Sequence, residues 1–328
     1  MSAPLRSDRV TTPGASRRVA AALLFAILFV VTAAAALGAT GCAAGGDAAR
    51  GGALDVVAAE SFLADIAQHV AGERFTVRTL IPPGADPHAF EPTPKDVAAV
   101  AGADLVLING GGLEGPLLDT LQNAGGSATI VAASAGLTTR TPQPGEPPLA
   151  TGQTDPHFWL DPVLVETYVT NIRDAFVRAD PSGAAAYEAN AAAYTAKLRQ
   201  LDAWIKAQVA QIPPVDRKLV MNHASHGYFA DRYGLQVIGT VIPSVGTSES
   251  PTAQQLGDLT AAIRKSGARA IFVEVDENPQ LARQIAAETG INVVTDLLDH
   301  SLTPAGGAAP TYIDMMKYDT RRIVEALK

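Results

Sequence analysis

Cysteine is nearly missing: Cys42 is the sole one in 328 residues, so no disulfide forms within the chain. Aromatic residues make up only 5% and the basic residues are scattered, which leaves no stacking platform for nucleic acid or sugar. Positive charge is also short, with 25 Lys and Arg against 33 Asp and Glu and a net charge of −8. That balance excludes a nucleic-acid partner and suits a cationic ligand. The metalloprotease pattern His-Glu-x-x-His does not occur. One long apolar run exists, Val19 to Leu37, and it stands near the N-terminus behind Arg6, Arg9, Arg17 and Arg18.

That basic-then-apolar arrangement reads as a targeting segment. It ends in Ala39-Thr40-Gly41-Cys42 and resembles a bacterial lipoprotein signal, although Ala39 stands where such signals usually carry leucine. The expectation is a signal over residues 1–41, cleavage before Cys42 and a lipid on its sulfur. An uncleaved membrane helix and ordinary cleavage near Ala39 are the alternatives, and each puts the folded part outside the cytoplasm. Residues 42–53 are small and Gly-rich, a flexible tether.

From Leu54 onward strands and helices alternate without hairpin signals, the pattern of parallel sheets flanked by helices. Strands are expected at Leu54–Ala58, Phe75–Ile81, Asp104–Asn109 and Ala128–Ala133. Ser61 is expected to cap the first helix, and Thr93-Pro94-Lys95-Asp96 to open another. Residues 138–154 are rich in Pro, Gly and Thr and read as a surface loop. Asp180-Pro181-Ser182 opens a segment that runs on without breakers to Gln211, with apolar residues mainly at spacings of three and four. About 30 helical residues span about 45 Å, the width of a two-lobed protein, so this segment reads as a rigid strut. After it the plan repeats, with strands at Lys218–Asn222, Leu235–Ile242, Ala270–Val275 and Ile291–Thr295. The fold class is therefore α/β: an N-terminal lobe over 54–179, a linking helix over 180–212 and a C-terminal lobe over 213–328. Each lobe carries a mainly parallel four-stranded sheet.

Among six histidines, two sit in the same tripeptide, Asp86-Pro87-His88 and Asp155-Pro156-His157. Proline holds the preceding residue extended, so each histidine lies on a loop and offers an imidazole nitrogen to a cleft. Two such copies point to one shared metal site. Candidate ligands fall at strand ends, the edge where open α/β sheets bind ligands.

Four stretches carry a resemblance to a known family. They are Leu80–Pro94, Asp155–Pro162, His223–Leu235 and Thr311–Met316, in that order along the chain. Together they resemble the TroA-like solute-binding proteins of zinc and manganese ABC transporters, with coverage from about Leu54 to the end. The resemblance implies two α/β lobes, a long linking helix and one buried metal between the lobes. It carries ligand roles onto His88, His157 and His223, and points to an acid late in the chain. Asp299 fits that acid best, with Asp296 as the alternative. Three imidazoles and one carboxylate suit Zn²⁺, whereas Mn²⁺ prefers more oxygen and is the runner-up. His226 falls where the family usually has an apolar residue. His300 reads as a neighbour of the site or an exposed residue, and His69 as a surface or boundary residue. Asp161 and Glu91 are candidate acceptors for imidazole N–H groups, while Glu249 and Glu274 are spare carboxylates. Residues 138–154 lack the histidines that zinc members often carry in this loop.

The expected protein is a monomeric zinc receptor outside the cytoplasm, held to the membrane through Cys42. It passes its ion to an ABC permease driven by an ATPase. A zinc hydrolase and a surface adhesin on the same fold are the readings from other classes.

Overall fold

The computed structural model describes residues 53–123 and 126–328. The signal over 1–41, Cys42 and the tether as far as residue 52 lie outside the described residues. Among the described residues no helix is long and apolar enough to cross a membrane.

The first half runs β1 (Val56–Ala58), α1 (Ser61–Ala71), β2 (Val77–Thr79), α2 (Pro94–Ala101), β3 (Leu105–Ile108), α3 (Gly115–Asn123) and β4 (Thr129–Ala132). Its strands are parallel in the order β2-β1-β3-β4. After α4 (Val165–Ala179) and α5 (Ala184–Val209), the second half brings β5 (Lys218–Met221), α6 (Gly227–Tyr233) and β6 (Gln236–Thr240). It continues with α7 (Ala253–Ser266), β7 (Ala270–Glu274), α8 (Gln280–Thr289), β8 (Asn292–Leu297) and α9 (Tyr312–Leu327). The second sheet has the order β6-β5-β7-β8, all parallel, which repeats the topology of the first. Chain order reverses between β1 and β3, and again between β5 and β7. At such switch points the loops leave in opposite directions and open a crevice at the strands' C-terminal ends.

Local chemistry explains most element boundaries. Thr93 and Asp96 form a complete capping box with Pro94 at the first helical position, and Thr252 with Gln255 forms another. The Ser61 cap is not found. Glu60 is the N-cap residue without a side-chain bond, and Ser61 Oγ instead accepts the Leu302 amide at 2.9 Å. The donor comes from a segment 241 positions later in the sequence. The strut helix is shorter than its sequence window: Pro181–Gly183 forms a 3₁₀ turn and α5 has 26 residues, about 39 Å at 1.5 Å per residue.

One apolar core runs through both halves. Phe62, Trp159, Tyr168 and Phe176 from the first, Phe229, Phe272, Tyr312 and Met315 from the second, and Tyr187, Tyr194 and Leu198 of α5 all belong to it. Smaller clusters cover the outer face of each sheet. A shared core of this kind makes wide hinge opening expensive, because opening would expose apolar surface at about 25 cal/mol per Å².

Candidate metal centre

Both Asp-Pro-His motifs fold into the same local device. Asp86 Oδ1 accepts the His88 amide at 2.8 Å, and Asp155 Oδ1 accepts the His157 amide at 3.2 Å. Each is an Asx-type turn that aims the histidine. The motifs then diverge. Asp155 Oδ1 also accepts from His157 Nδ1 at 2.9 Å. Asp86 turns its second oxygen away and accepts from Thr247 Oγ1 at 2.6 Å. Gly111, at φ 68°, lets the loop after β3 pass against Pro156, whose Cα a Cβ there would meet at 3.2 Å. Asn109 Nδ2 donates to Pro156 O at 3.0 Å and pins the same loop.

His223 follows β5 at the switch point, and Glu274 ends β7 beside it. His300 lies in the loop after β8. His88, His157, His223 and His300 present one donor atom each, all within 4.8 Å of one another. Their six ring-to-ring distances are nearly equal, from 5.1 Å for His223–His300 to 5.8 Å for His157–His300. Six nearly equal edges describe a tetrahedron. The Nε2 atoms of His157 and His223 are 3.3 Å apart. Nitrogen donors at about 2.0–2.1 Å around a tetrahedral ion lie about 3.3–3.4 Å from one another.

Carboxylates stand behind three of the rings. His157 Nδ1 faces Asp155, His223 Nδ1 is 3.3 Å from Glu274 Oε1, and His300 Nδ1 is 3.4 Å from Asp276 Oδ2. A carboxylate on Nδ1 selects the tautomer whose Nε2 lone pair is free for a metal. Among the described residues no acid backs His88; its Nε2 is buried with no hydrogen-bond partner among them, and the residue as a whole is half-buried. It lines a cleft of about 510 Å³ with Gly111–Leu113, Gly152–Thr154 and Ser244–Glu249, the open side of the centre.

Burial, reinforced by the neighbouring imidazoles, holds His88 and His157 well below the ordinary histidine range. Burial also pulls on His223 and His300, but the acids override it. Glu274 carries His223 upward, and Asp299 with Asp276 carries His300 well above its usual value. Burial raises Asp155 to about 7 despite the His157 amide and the Arg140 guanidinium, whose Nη1 is 3.6 Å away. Arg140 in turn binds Glu146 and Asp231 at 2.6 and 2.7 Å, so the loop over 138–154 is fastened to α6.

The expected fourth partner changes. Asp299 does not join the three histidines; His300 closes that group, and Asp299 falls in a separate one with His223 and Glu274. Asp299 and His300 are neighbours in a turn closed by the Ser301 amide on Leu298 O at 2.7 Å, so their side chains face different ways, and the Trp159 indole N–H holds the turn by donating to Asp299 O at 2.6 Å. Asp296, the other aspartate considered, points away and binds Tyr318 and Arg322. His226 is buried but turns to Ser225 Oγ at 2.8 Å, and burial lowers it to about 4. His69 stacks on Tyr194 at 4.5 Å on α1.

Asp161 and Glu91 do not serve the imidazoles. Asp161 pairs with Arg232 at 3.3 Å, and Glu91 is exposed. Glu249 accepts from Ser244 Oγ at 3.1 Å at the cleft. Glu274 and Asp276 take the backing role instead. Their sequence signal was an apolar strand, Ala270–Val273, ending in Glu-Val-Asp at the binding edge.

Two repeated parallel sheets around a buried histidine cage define a two-lobed receptor for a small cation. The description "Zinc-uptake complex component A periplasmic" (ZnuA) matches residues 56–326. The chain is 34% identical over 295 residues to the manganese-binding lipoprotein MntA of Halalkalibacterium halodurans, covering 89% of this chain and 95% of that one. It is 31% identical over 261 residues to the iron-binding protein YfeA of Yersinia pestis, covering 80% and 82%. Among solved structures, the periplasmic zinc-binding protein TroA of Treponema pallidum superposes with a TM-score of 0.76 at 27% identity, covering 83% of this chain and 98% of that one. The chain belongs to this ZnuA/TroA-like family of periplasmic metal-binding proteins, the substrate-binding components of metal ABC transporters. They are receptors that work with a permease and an ATPase, not enzymes.

Proposed function

We propose that this chain is the zinc receptor of an ABC importer, capturing Zn²⁺ between its lobes with His88, His157, His223 and His300. The near-regular tetrahedron of four imidazoles carries the reading. Nitrogen donors in that geometry suit zinc, whereas Mn²⁺ favours oxygen and an octahedron, and Cu²⁺ and Ni²⁺ favour tetragonal sites. Four protein donors fill a tetrahedral ion and leave no position for a reactive water, unlike a hydrolytic zinc centre. His88 on the open side is the last ligand to engage and the first to leave.

The remaining chain fits this role. Residues 1–41 act as the signal, Cys42 carries the lipid, and 42–53 tether the receptor to the outer face of the membrane. Residues 54–179 and 213–328 form the lobes, with 180–212 joining them. The test is metal content after purification from mixed-metal medium, together with zinc-edge X-ray absorption. Zinc in one equivalent with an all-imidazole shell is expected. A shell containing carboxylate, or a preference for manganese at this cage, overturns the assignment.

A further inference from the structure

Residues 138–154 leave the first lobe after β4 and return to it at Asp155, in the turn that carries His157. Between those points they lie on the second lobe. Gln143 sets its side-chain amide at the start of β6, an edge strand of its sheet. Its Oε1 accepts the Val237 amide at 2.9 Å, and its Nε2 donates to Leu235 O at 3.3 Å and to Asp231 Oδ1 at 2.8 Å. The side chain stands in for a neighbouring strand and covers backbone groups that an edge leaves open. Gly145 lies so close to β6 that a Cβ there would come within 2.0 Å of Val237 O. Pro142, Pro144, Pro147 and Pro148 stiffen the segment, so less chain entropy is lost in holding it there.

Arg140 bolts this segment down. Its side chain is 7% exposed and meets carboxylates from three places. Nη2 is 2.6 Å from Glu146 Oε2 within the loop, Nε is 2.7 Å from Asp231 Oδ2 on α6, and Nη1 is 3.6 Å from Asp155 Oδ2 behind His157. Gly227, the first residue of α6, leaves room for it, since a Cβ there would meet Arg140 Nη1 at 2.1 Å. Tyr228 closes the joint: its hydroxyl accepts the Arg140 amide at 3.3 Å and donates to Asp155 O at 3.0 Å. A planar guanidinium fork fixes the geometry of its carboxylates, and pulling one away leaves buried charge unpaired.

We propose that residues 138–154 form an interlobe strap, bolted by Arg140 and Gln143, which holds the His157 and His223 sides of the molecule together and confines opening to the His88 side. This rests on the reading of the chain as a metal receptor and adds how the ion is retained. His157 follows the strap directly, and α6, to which the strap is bolted, begins shortly after His223. Parting the lobes on this side breaks the bonds of Arg140 to Asp231 and Tyr228, those of Gln143 to Asp231 and β6, and the Tyr228–Asp155 bond together. The His88 loop relies on the Gly84–Ser301 and Asp86–Thr247 hydrogen bonds. Gly152–Thr154, at the end of the strap, wall the cleft beside His88, so the strap also shapes the exit.

Hydrogen–deuterium exchange of the full chain, metal-free and with ZnCl₂, tests the coupling. Zinc held by both lobes makes strap opening wait for zinc loss, so exchange of the Val237 amide is expected to slow by about tenfold or more. Gly145→Ala changes neither a charge nor a ligand and unseats the strap from β6. It is expected to speed zinc loss to a chelator by about tenfold, with the zinc-edge absorption spectrum unchanged. Arg140→Ala is expected to do the same, and Arg140→Lys, which restores the charge without the fork, to fall between it and wild type. Val237 exchange indifferent to zinc, or a release rate unchanged in Gly145→Ala, overturns the strap and leaves the receptor reading standing. Failure of the wild type to bind metal overturns both. The wild-type exchange result decides the matter alone if the variants do not fold.

Discussion

Asp86 holds two structures at once: its Oδ1 accepts the His88 amide at 2.8 Å, and its Oδ2 accepts from Thr247 Oγ1 at 2.6 Å. The residue that aims the most accessible imidazole of the cage is thereby tied to the loop after β6. Gly84 N, in the same His88 loop, donates to Ser301 Oγ at 2.8 Å, beside His300. Both bonds cross from one lobe to the other and fasten this short loop over the centre.

Thr247→Val is expected to speed zinc loss to a chelator by about tenfold, since a hydrogen bond to a charged group contributes about 1.5–3 kcal/mol and 1.4 kcal/mol is a factor of ten. Stopped-flow release measures it. An unchanged rate would show that the bond does not restrain His88.

His300→Ala and His226→Ala separate two buried histidines by geometry. Removing His300 opens a corner of the tetrahedron, and zinc affinity is expected to fall by about 100-fold or more. His226 faces Ser225, so its variant is expected to stay within about threefold of wild type by calorimetric titration. The reverse order would place the cage on the wrong residue.

Glu274→Gln keeps the shape behind His223 but removes the charge that orients its Nδ1–H. Zinc affinity is expected to drop about 10- to 100-fold, with the cage still four-coordinate by X-ray absorption.

Asp319 supplies a pH signature away from the cage. Burial raises its carboxyl to about 8, although it accepts the Leu298 amide at 2.8 Å. In the unfolded chain it titrates near the ordinary value of about 3.9. Between these values the folded protein holds a proton that the unfolded chain has released. The stabilisation is therefore complete below about pH 4 and is lost as pH rises through about 8. In metal-free protein, Asp319→Asn is expected to melt at the wild-type temperature at pH 4 and above it at pH 8. A variant less stable than wild type at pH 8 contradicts the shift.

A single tripeptide used twice was enough to place His88 and His157 on loops, because proline geometry and the Asx turn act within three residues. Strand and helix alternation was legible for the same reason: period and capping are local, as the Thr93–Asp96 box shows. The choice between Asp299 and His300 was not local. The two are adjacent, both are metal-binding types and both are buried, and which one joins the other three histidines depends on how the turn after β8 packs, where the Trp159 indole, 140 positions earlier, donates to Asp299 O. The acids behind the imidazoles were hidden similarly. Asp161 and Glu91 sit next to the motifs in sequence, yet Glu274 and Asp276 reach the rings because β7 ends beside β5 in the sheet.

The order of residues thus determined the α/β alternation, the paired proline turns and the supply of imidazoles, all products of backbone preference over a few positions. Which imidazoles converge, which carboxylates back them and what ties the His88 loop to the other lobe were decided by packing between distant segments. Those contacts depend on the C-terminal edges of two sheets meeting around one shared core, and no short stretch of sequence encodes that.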